Sequence, residues 1–207
     1  MKHTLLTICL ILFTLPSWGN NVVCNLTGLN CPEIDDFDKL FEVDGILYKK
    51  FSDTPFTGNV TDGEQQGFVK EGKKDGSWVE YFNDGTLMEK RNYKDGEKDG
   101  LVEFYYKNGQ LRDKGNYKEG RLDGLWEYYY ENGKLREKIK YKDGKEDGLW
   151  EKYYENGQLQ IKENWEDGKL DGLWERYYKS GQLWMKENYK NGKKEGLSEW
   201  NYENGQV

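Results

Sequence analysis

From residue 76 onward, apolar and polar residues alternate in short runs that glycine interrupts at fixed intervals. Gly76, Gly100, Gly124, Gly148, Gly172 and Gly196 stand 24 residues apart, each after Asp or Glu, and Gly85, Gly109, Gly133, Gly157, Gly181 and Gly205 follow each by nine. One unit, Asp123 to Glu146, reads Asp-Gly-Leu-Trp-Glu-Tyr-Tyr-Tyr-Glu-Asn-Gly-Lys-Leu-Arg-Glu-Lys-Ile-Lys-Tyr-Lys-Asp-Gly-Lys-Glu. Its two aromatic-rich arms flank Asn132-Gly133, and Asn-Gly offers the two positive-φ residues that a two-residue type I′ turn needs, so the pattern predicts a β-hairpin. Asn108-Gly109 and Asn156-Gly157 repeat the signal, and no proline follows Pro55 to interrupt a strand. The ladder from Gly76 to Gly196 is expected at the turns that open each hairpin.

A two-residue loop at Asn132-Gly133 pairs Tyr130 with Leu135, Tyr128 with Glu137 and Trp126 with Ile139, all on one face. The other face then sets Glu127 opposite Lys138, and likewise Glu103 opposite Lys114, Glu151 opposite Lys162 and Glu175 opposite Lys186. Such exposed pairs contribute roughly 0.2–1 kcal/mol each, so they set register more than stability. The expected fold is all-β, an elongated open array of tandem antiparallel hairpins behind a short irregular N-terminal segment.

On the aromatic face the columns of Trp78, Trp126, Trp150 and Trp174, of Phe82, Tyr106, Tyr130, Tyr154 and Tyr178, and of Tyr93, Tyr117, Tyr141, Trp165 and Tyr189 barely change, and should form a continuous core. Two columns do vary: Phe104, Tyr128, Lys152 and Arg176 in one arm, and Gly115, Ile139, Glu163 and Glu187 in the other. Variation inside a strict repeat marks either partner contact or a solvated groove. The tyrosines Tyr105, Tyr129, Tyr153 and Tyr177 fall on the charged face, where they either stack on a ligand or cover lysine stems.

The ends break the pattern. Residues 53–75 read as a degenerate first repeat acting as a cap, because Glu71-Gly72-Lys73 matches Asp95-Gly96-Glu97 one period earlier while Thr57-Gly58 is out of phase. Residues 20–52 show no repeat, only a strand-like Ile46-Leu47-Tyr48. The repeats over 76–207 finish within a hairpin, so the strand from Leu197 to Tyr202 is expected to be an open edge that offers self-association.

Composition adds the compartment. Lys2 and His3, the apolar run Leu5 to Leu15 and Ser17-Trp18-Gly19 read as a signal peptide over residues 1–19, too short to span a bilayer. The mature chain is then expected outside the cytoplasm, periplasmic or extracellular, with no membrane span. There Cys24 and Cys31 are expected to close a small disulfide loop. Removing Lys2 leaves 30 of the 31 basic side chains against 38 acidic ones, a formal charge of −8 that argues against nucleic acid as partner.

Little here speaks for catalysis. The only histidine, His3, lies in the leader, which removes Ser-His and Cys-His relays and imidazole metal ligands. Carboxylates such as Glu127 and Asp147 recur in every unit, whereas catalytic groups are singular, and Asp143 to Gly148 lacks the alternating ligands of a calcium loop. No cofactor or metal is expected, and an enzyme would need an acidic pocket near residues 33–64.

These units resemble the MORN repeat, and more closely the bacterial MORN-variant repeat, matched by Asp-Gly-Leu-Trp, an aromatic pair, Asn-Gly-Gln-Leu and an acidic-Gly-Lys step between Asp147 and Lys169. With Pro55-Phe56-Thr57-Gly58 ahead of the array, the chain looks like YwqK-type antitoxin components. The resemblance implies structural glycine, tryptophan and tyrosine positions and no catalytic residues. The expected function is protein–protein interaction by an exported, non-enzymatic repeat protein, an antitoxin or immunity-like component. The alternative is an envelope structural or glycan-binding protein.

Overall fold

The computed structural model describes residues 33–34 and 36–204. The expected leader over residues 1–19, the expected Cys24–Cys31 loop and Gly205 lie outside the described residues.

A short strand β1 (Glu33–Ile34) and a 3-10 turn (Phe37–Lys39) lead into a two-stranded hairpin, β2 (Leu40–Val43) and β3 (Ile46–Lys49). Then follow β4 (Gly58–Val60), β5 (Gln65–Lys70), β6 (Lys73–Tyr81), β7 (Leu87–Lys94), β8 (Glu97–Tyr105), β9 (Leu111–Lys118) and β10 (Arg121–Tyr129). The array continues through β11 (Leu135–Lys142), β12 (Lys145–Tyr153), β13 (Leu159–Glu166), β14 (Lys169–Tyr177), β15 (Leu183–Lys190) and β16 (Lys193–Trp200). From β4 to β16 every strand pairs antiparallel with the next, and β1 joins β4 in parallel, giving one 14-stranded sheet. The all-β array of tandem hairpins is therefore the fold, and residues 53–75 enter the same sheet through β4 and β5.

The turns differ from the expected assignment. Asn132 is not left-handed; Gly133 alone is (φ 78°), Gly133 N–H donates to Tyr130 O at 2.9 Å, and Tyr130 N–H to Lys134 O at 2.9 Å. This is a three-residue loop, a type I turn closed by a left-handed glycine. Leu135 consequently faces Tyr129 instead of Tyr130, and a bulge restores the expected register at Tyr128–Glu137, Glu127–Lys138 and Trp126–Ile139. Asparagine serves here as a hydrogen-bonding group: Asn132 Oδ1 accepts from Lys134 N–H at 3.0 Å, while Asn108 Nδ2 and Asn156 Nδ2 donate to the carbonyls of Glu131 and Lys179 in the next unit.

The type I′ turns sit instead at Asp143-Gly144 (φ 50° and 83°) and its equivalents Asp95-Gly96, Glu119-Gly120, Asp167-Gly168 and Asn191-Gly192. The ladder glycines Gly76, Gly100, Gly124, Gly148, Gly172 and Gly196 are not turns. They lie inside strands with positive φ, beside the register shifts where, for example, β10 holds two more residues between Asp123 and Glu127 than β9 does opposite. A bulge needs a residue that accepts left-handed φ without steric cost, and glycine is that residue.

Successive hairpins are tied at both ends. Gly96, Gly120, Gly144, Gly168 and Gly192 donate their N–H to carbonyls one unit back, at 2.8–2.9 Å. At the other end Tyr106, Tyr130, Tyr154 and Tyr178 donate their hydroxyls to the carbonyls of Tyr129, Tyr153, Tyr177 and Asn201. This column was expected in the core; it lies beyond the strand ends and bridges units instead.

Burial is not continuous along the array. One cluster joins Ile34, Leu40, Leu47 and Phe56 of the N-terminal part to Val60, Val69 and Trp78, and a second centres on Val102, Trp126 and Ile139. Trp150, Trp165 and Trp174 are half-buried. A sheet in one layer buries large side chains only where a neighbour or a cap leans over them.

Candidate binding surface

The tryptophan face is governed by what lies opposite each indole. At Gly67 and Gly115 the following tryptophan ring lies on the glycine: a Cβ there would come within 2.4 Å of Trp78 and 2.2 Å of Trp126. The flattened indoles then reach back, Trp78 Nε1 donating to Phe68 O at 3.0 Å and Trp126 Nε1 to Asn116 O at 3.1 Å. Where the opposing residue is Ile139, Trp150 Nε1 is buried without a partner. Where it is Glu163, the carboxylate accepts from Trp174 Nε1 at 2.6 Å and from Trp165 Nε1 at 2.9 Å.

Ile139, Glu163 and Glu187 thus stand buried at 4%, 7% and 7% exposure. Glu187 takes Tyr189, Lys194 and Ser198 as donors, and the Lys194 contact holds its carboxyl below the usual range. This column was one of the two candidate partner contacts. The structure places it inside the sheet's own packing, where each residue answers a neighbouring tryptophan or serine. Val102, which stands where other units carry tryptophan, is fully buried, since Trp126 folded over Gly115 fills that space.

The other variable column remains half-buried and forms part of one unbroken row. Cross-strand partners run Glu89, Phe104, Asp113, Tyr128, Glu137, Lys152, Ile161, Arg176, Met185 across β7 to β15. Tyr128 stands beside Trp126 with ring centroids 6.3 Å apart, and its phenol is pushed up by burial. Arg176 lies 4.6 Å from the Trp174 ring centre with its Nε buried and unpartnered. Lys152 has no carboxylate partner among the described residues. Phe104, Tyr128, Lys152 and Arg176 are therefore brought together, alternating with Asp113, Glu137 and Ile161, which sequence reading did not single out as sites.

The opposite face repeats strictly. Lys90, Glu103, Lys114, Glu127, Lys138, Glu151, Lys162, Glu175, Lys186 and Glu199 are successive cross-strand partners, an alternating ladder over ten strands. The expected pairs within hairpins hold as cross-strand neighbours, though among them only Lys186–Glu175 closes to an ion pair, at 3.8 Å; the closer pairs link hairpins, Lys114 meeting Glu127 at 2.8 Å and Lys138 meeting Glu151 at 2.5 Å, each in the next unit. Tyr105, Tyr153 and Tyr177 donate their hydroxyls to Glu103, Glu151 and Glu175, and Tyr129 is aligned with them on β10. Burial and these carboxylates push Tyr105 and Tyr177 up to about 12.

A separate depression lies between β5 and β7, lined by Gln65, Lys74, Trp78, Glu80, Glu89, Arg91 and Tyr93. Its charges answer one another: Arg91 pairs with Glu89, and Lys74 Nζ donates to Gln65 Oε1 at 2.7 Å beneath the rings of Phe37, Trp78 and Tyr93. Burial lowers the Lys74 ammonium and raises the Glu89 carboxyl.

Strands of eight or nine residues, a bulge glycine and two unlike turns per 24 residues define a tandem β-hairpin repeat protein. A model of the MORN repeat variant family matches residues 74–95, 98–119, 122–143, 146–167, 170–191 and 194–207, more than half of the chain, and the chain belongs to that family. No curated protein matches it. Among solved structures, a chain of the GtfA/B complex bound to UDP and GlcNAc is 20% identical with a TM-score of 0.22, over 68% of this chain and 26% of that one. This chain thus spans about a quarter of that chain's length.

Proposed function

We propose that this chain is an exported, non-enzymatic repeat protein that binds another protein through the row from Phe104 to Arg176. The supporting observation is the chemistry of that row. The ladder on the opposite face recurs with the repeat, but this row reads aromatic, acid, aromatic, acid, base, aliphatic, base across consecutive strands. A non-repeating stripe on a repeating lattice suits one irregular protein surface better than a polymer. The resemblance to YwqK-type antitoxin components makes a toxin the proposed class of target. The leader-like residues 1–19 would put the encounter in the periplasm or outside the cell, an immunity-like role.

Capture from an extract of the source cells tests this, using the full-length chain beside a variant carrying Phe104→Ser, Tyr128→Ser, Lys152→Ser and Arg176→Ser. A protein retained by the wild type and lost from the variant is expected; equal retention, or none by either, overturns the reading.

One observation favours a second reading. Tyr105, Tyr129, Tyr153 and Tyr177 recur every second strand, roughly 9.6 Å apart, as a repeating glycan of the cell envelope would require. Cosedimentation with purified cell wall that Tyr129→Ala and Tyr153→Ala leave unchanged would remove it.

A further inference from the structure

We propose that the tryptophan face is a self-complementary docking surface for a second copy of the chain, related to the first by a twofold axis that runs parallel to the strands between β11 and β12. The inference rests on the reading of the row as a protein-recognition surface and names its occupant.

The row changes character at its middle. Over β9 to β11 it carries Asp113, Tyr128 and Glu137; over β12 to β14 it carries Lys152, Ile161 and Arg176. A twofold rotation sets one half against the other in reversed order, as an isologous interface requires. Glu137 then meets Lys152 of the second copy, Tyr128 meets Ile161, and Asp113 meets Arg176, and symmetry repeats all three contacts. Each is acid on base or ring on aliphatic. A copy stacked in the same order would put acid on acid and base on base.

Of these charges Asp113 is paired with Arg112, while Glu137 and Lys152, neighbours across β11 and β12, do not close an ion pair with each other. Neither Lys152 nor Arg176 has a carboxylate within ion-pair distance among the described residues, and Glu137 has no cation. Arg176 Nε is buried and unpartnered, while Trp174 holds the guanidinium plane in place. Asp113 receives Arg112 Nε on Oδ2 at 2.8 Å, which leaves Oδ1 for an incoming group. The β2–β3 hairpin and the 3-10 turn pack on Val69 and Trp78 in β5 and β6, away from this stretch. Facing sheets lie about 10 Å apart, a spacing that lets such side chains interdigitate. A target protein on the same row would compete with the second copy.

Sedimentation equilibrium of the full-length chain at low salt is the test. The wild type should dimerise, and D113R and R176D alone should each weaken the dimer about tenfold or more, as for truncated or opposed interfacial charges. The double variant D113R/R176D should return to within about threefold, because within one chain these positions lie five strands, or roughly 24 Å, apart and can meet only between copies. Should D113R fail to fold, D113K and R176E with their double variant give the same readout, whereas Glu137 and Lys152, cross-strand neighbours within one chain, could not. A wild type that stays monomeric at high micromolar concentration, single variants that dimerise as the wild type does, or a double variant as weak as its parents would overturn the inference. A monomeric wild type whose target capture is still lost with the four serine substitutions removes the second copy alone. A dimer that passes the charge-swap test beside unaffected capture removes the target reading alone.

Discussion

The hydroxyl of Tyr130 donates to the carbonyl of Tyr153 at 2.7 Å, one residue short of a full period away, and so ties the tip of one hairpin to the strand end of the next. The same bond recurs from Tyr106, Tyr154 and Tyr178, while Phe82 at the head of the column has no hydroxyl to give. Tyr130→Phe keeps the ring and removes the bond. It should cost about 0.5–1.5 kcal/mol, the net worth of one hydrogen bond, read as a lower urea midpoint with unchanged slope. No change in midpoint would show that the tie is not a stabilising link.

Gly115 is required by proximity. Its Cβ would meet the Trp126 indole at 2.2 Å, so Gly115→Ala should cost about 1–3 kcal/mol through forced displacement of the ring. In a Trp126→Val background the penalty should shrink, which a double-mutant cycle measures directly. Additive effects would separate the glycine from the indole.

Glu163 is an acceptor for two indoles. Glu163→Leu leaves Trp165 Nε1 and Trp174 Nε1 without it and should cost roughly 1–3 kcal/mol, whereas Glu163→Gln keeps one acceptor oxygen and should cost less. Tryptophan fluorescence during urea unfolding reports both variants; equal loss would indicate that volume, and not hydrogen bonding, sets the residue.

The two glycine turns answer differently to substitution. Asp143 holds φ 50°, so Asp143→Val should cost roughly 1–2 kcal/mol of left-handed strain. Asn132 lacks that conformation, so Asn132→Gly should bring no gain from backbone relief and should lose the bond to Lys134 N–H. Thermal midpoints of the two variants decide the assignment of turn types.

Alkaline pH should unfold the array through its tyrosines. Burial, first, and hydrogen bonding to Glu103 push the Tyr105 phenol up to about 12, and burial with Glu175 does the same at Tyr177. The unfolded chain releases these protons near pH 10, so the folded state binds more protons between about pH 10 and pH 12. Their contribution is full below pH ~10 and is lost as pH rises through ~12. Tyr105→Phe with Tyr177→Phe should flatten that alkaline decline in stability, and an unchanged slope would assign it to other groups.

The period, the strands and the pairing of Glu127 with Lys138 were legible in the sequence, because alternation and glycine spacing act over a few residues and repeat six times. The family resemblance was legible for the same reason, since its pattern is made of those local signals. Three things required the tertiary structure. Which acidic-Gly or Asn-Gly step adopts type I′ depends on the bulge that the neighbouring strand imposes, and Asn132-Gly133 and Asp143-Gly144 carry the same local signal. Why Gly115 and Glu163 share one column depends on how the neighbouring indole finds a partner for its N–H, a contact between strands, while beside Ile139 the Trp150 N–H finds none. And that Asp113, Tyr128, Glu137, Lys152, Ile161 and Arg176 form one row, acidic at one end and basic at the other, follows only once every hairpin is set in register against the next. Local chemistry determines the hairpin; only the stacking of hairpins decides which side chains stand shoulder to shoulder on its surface.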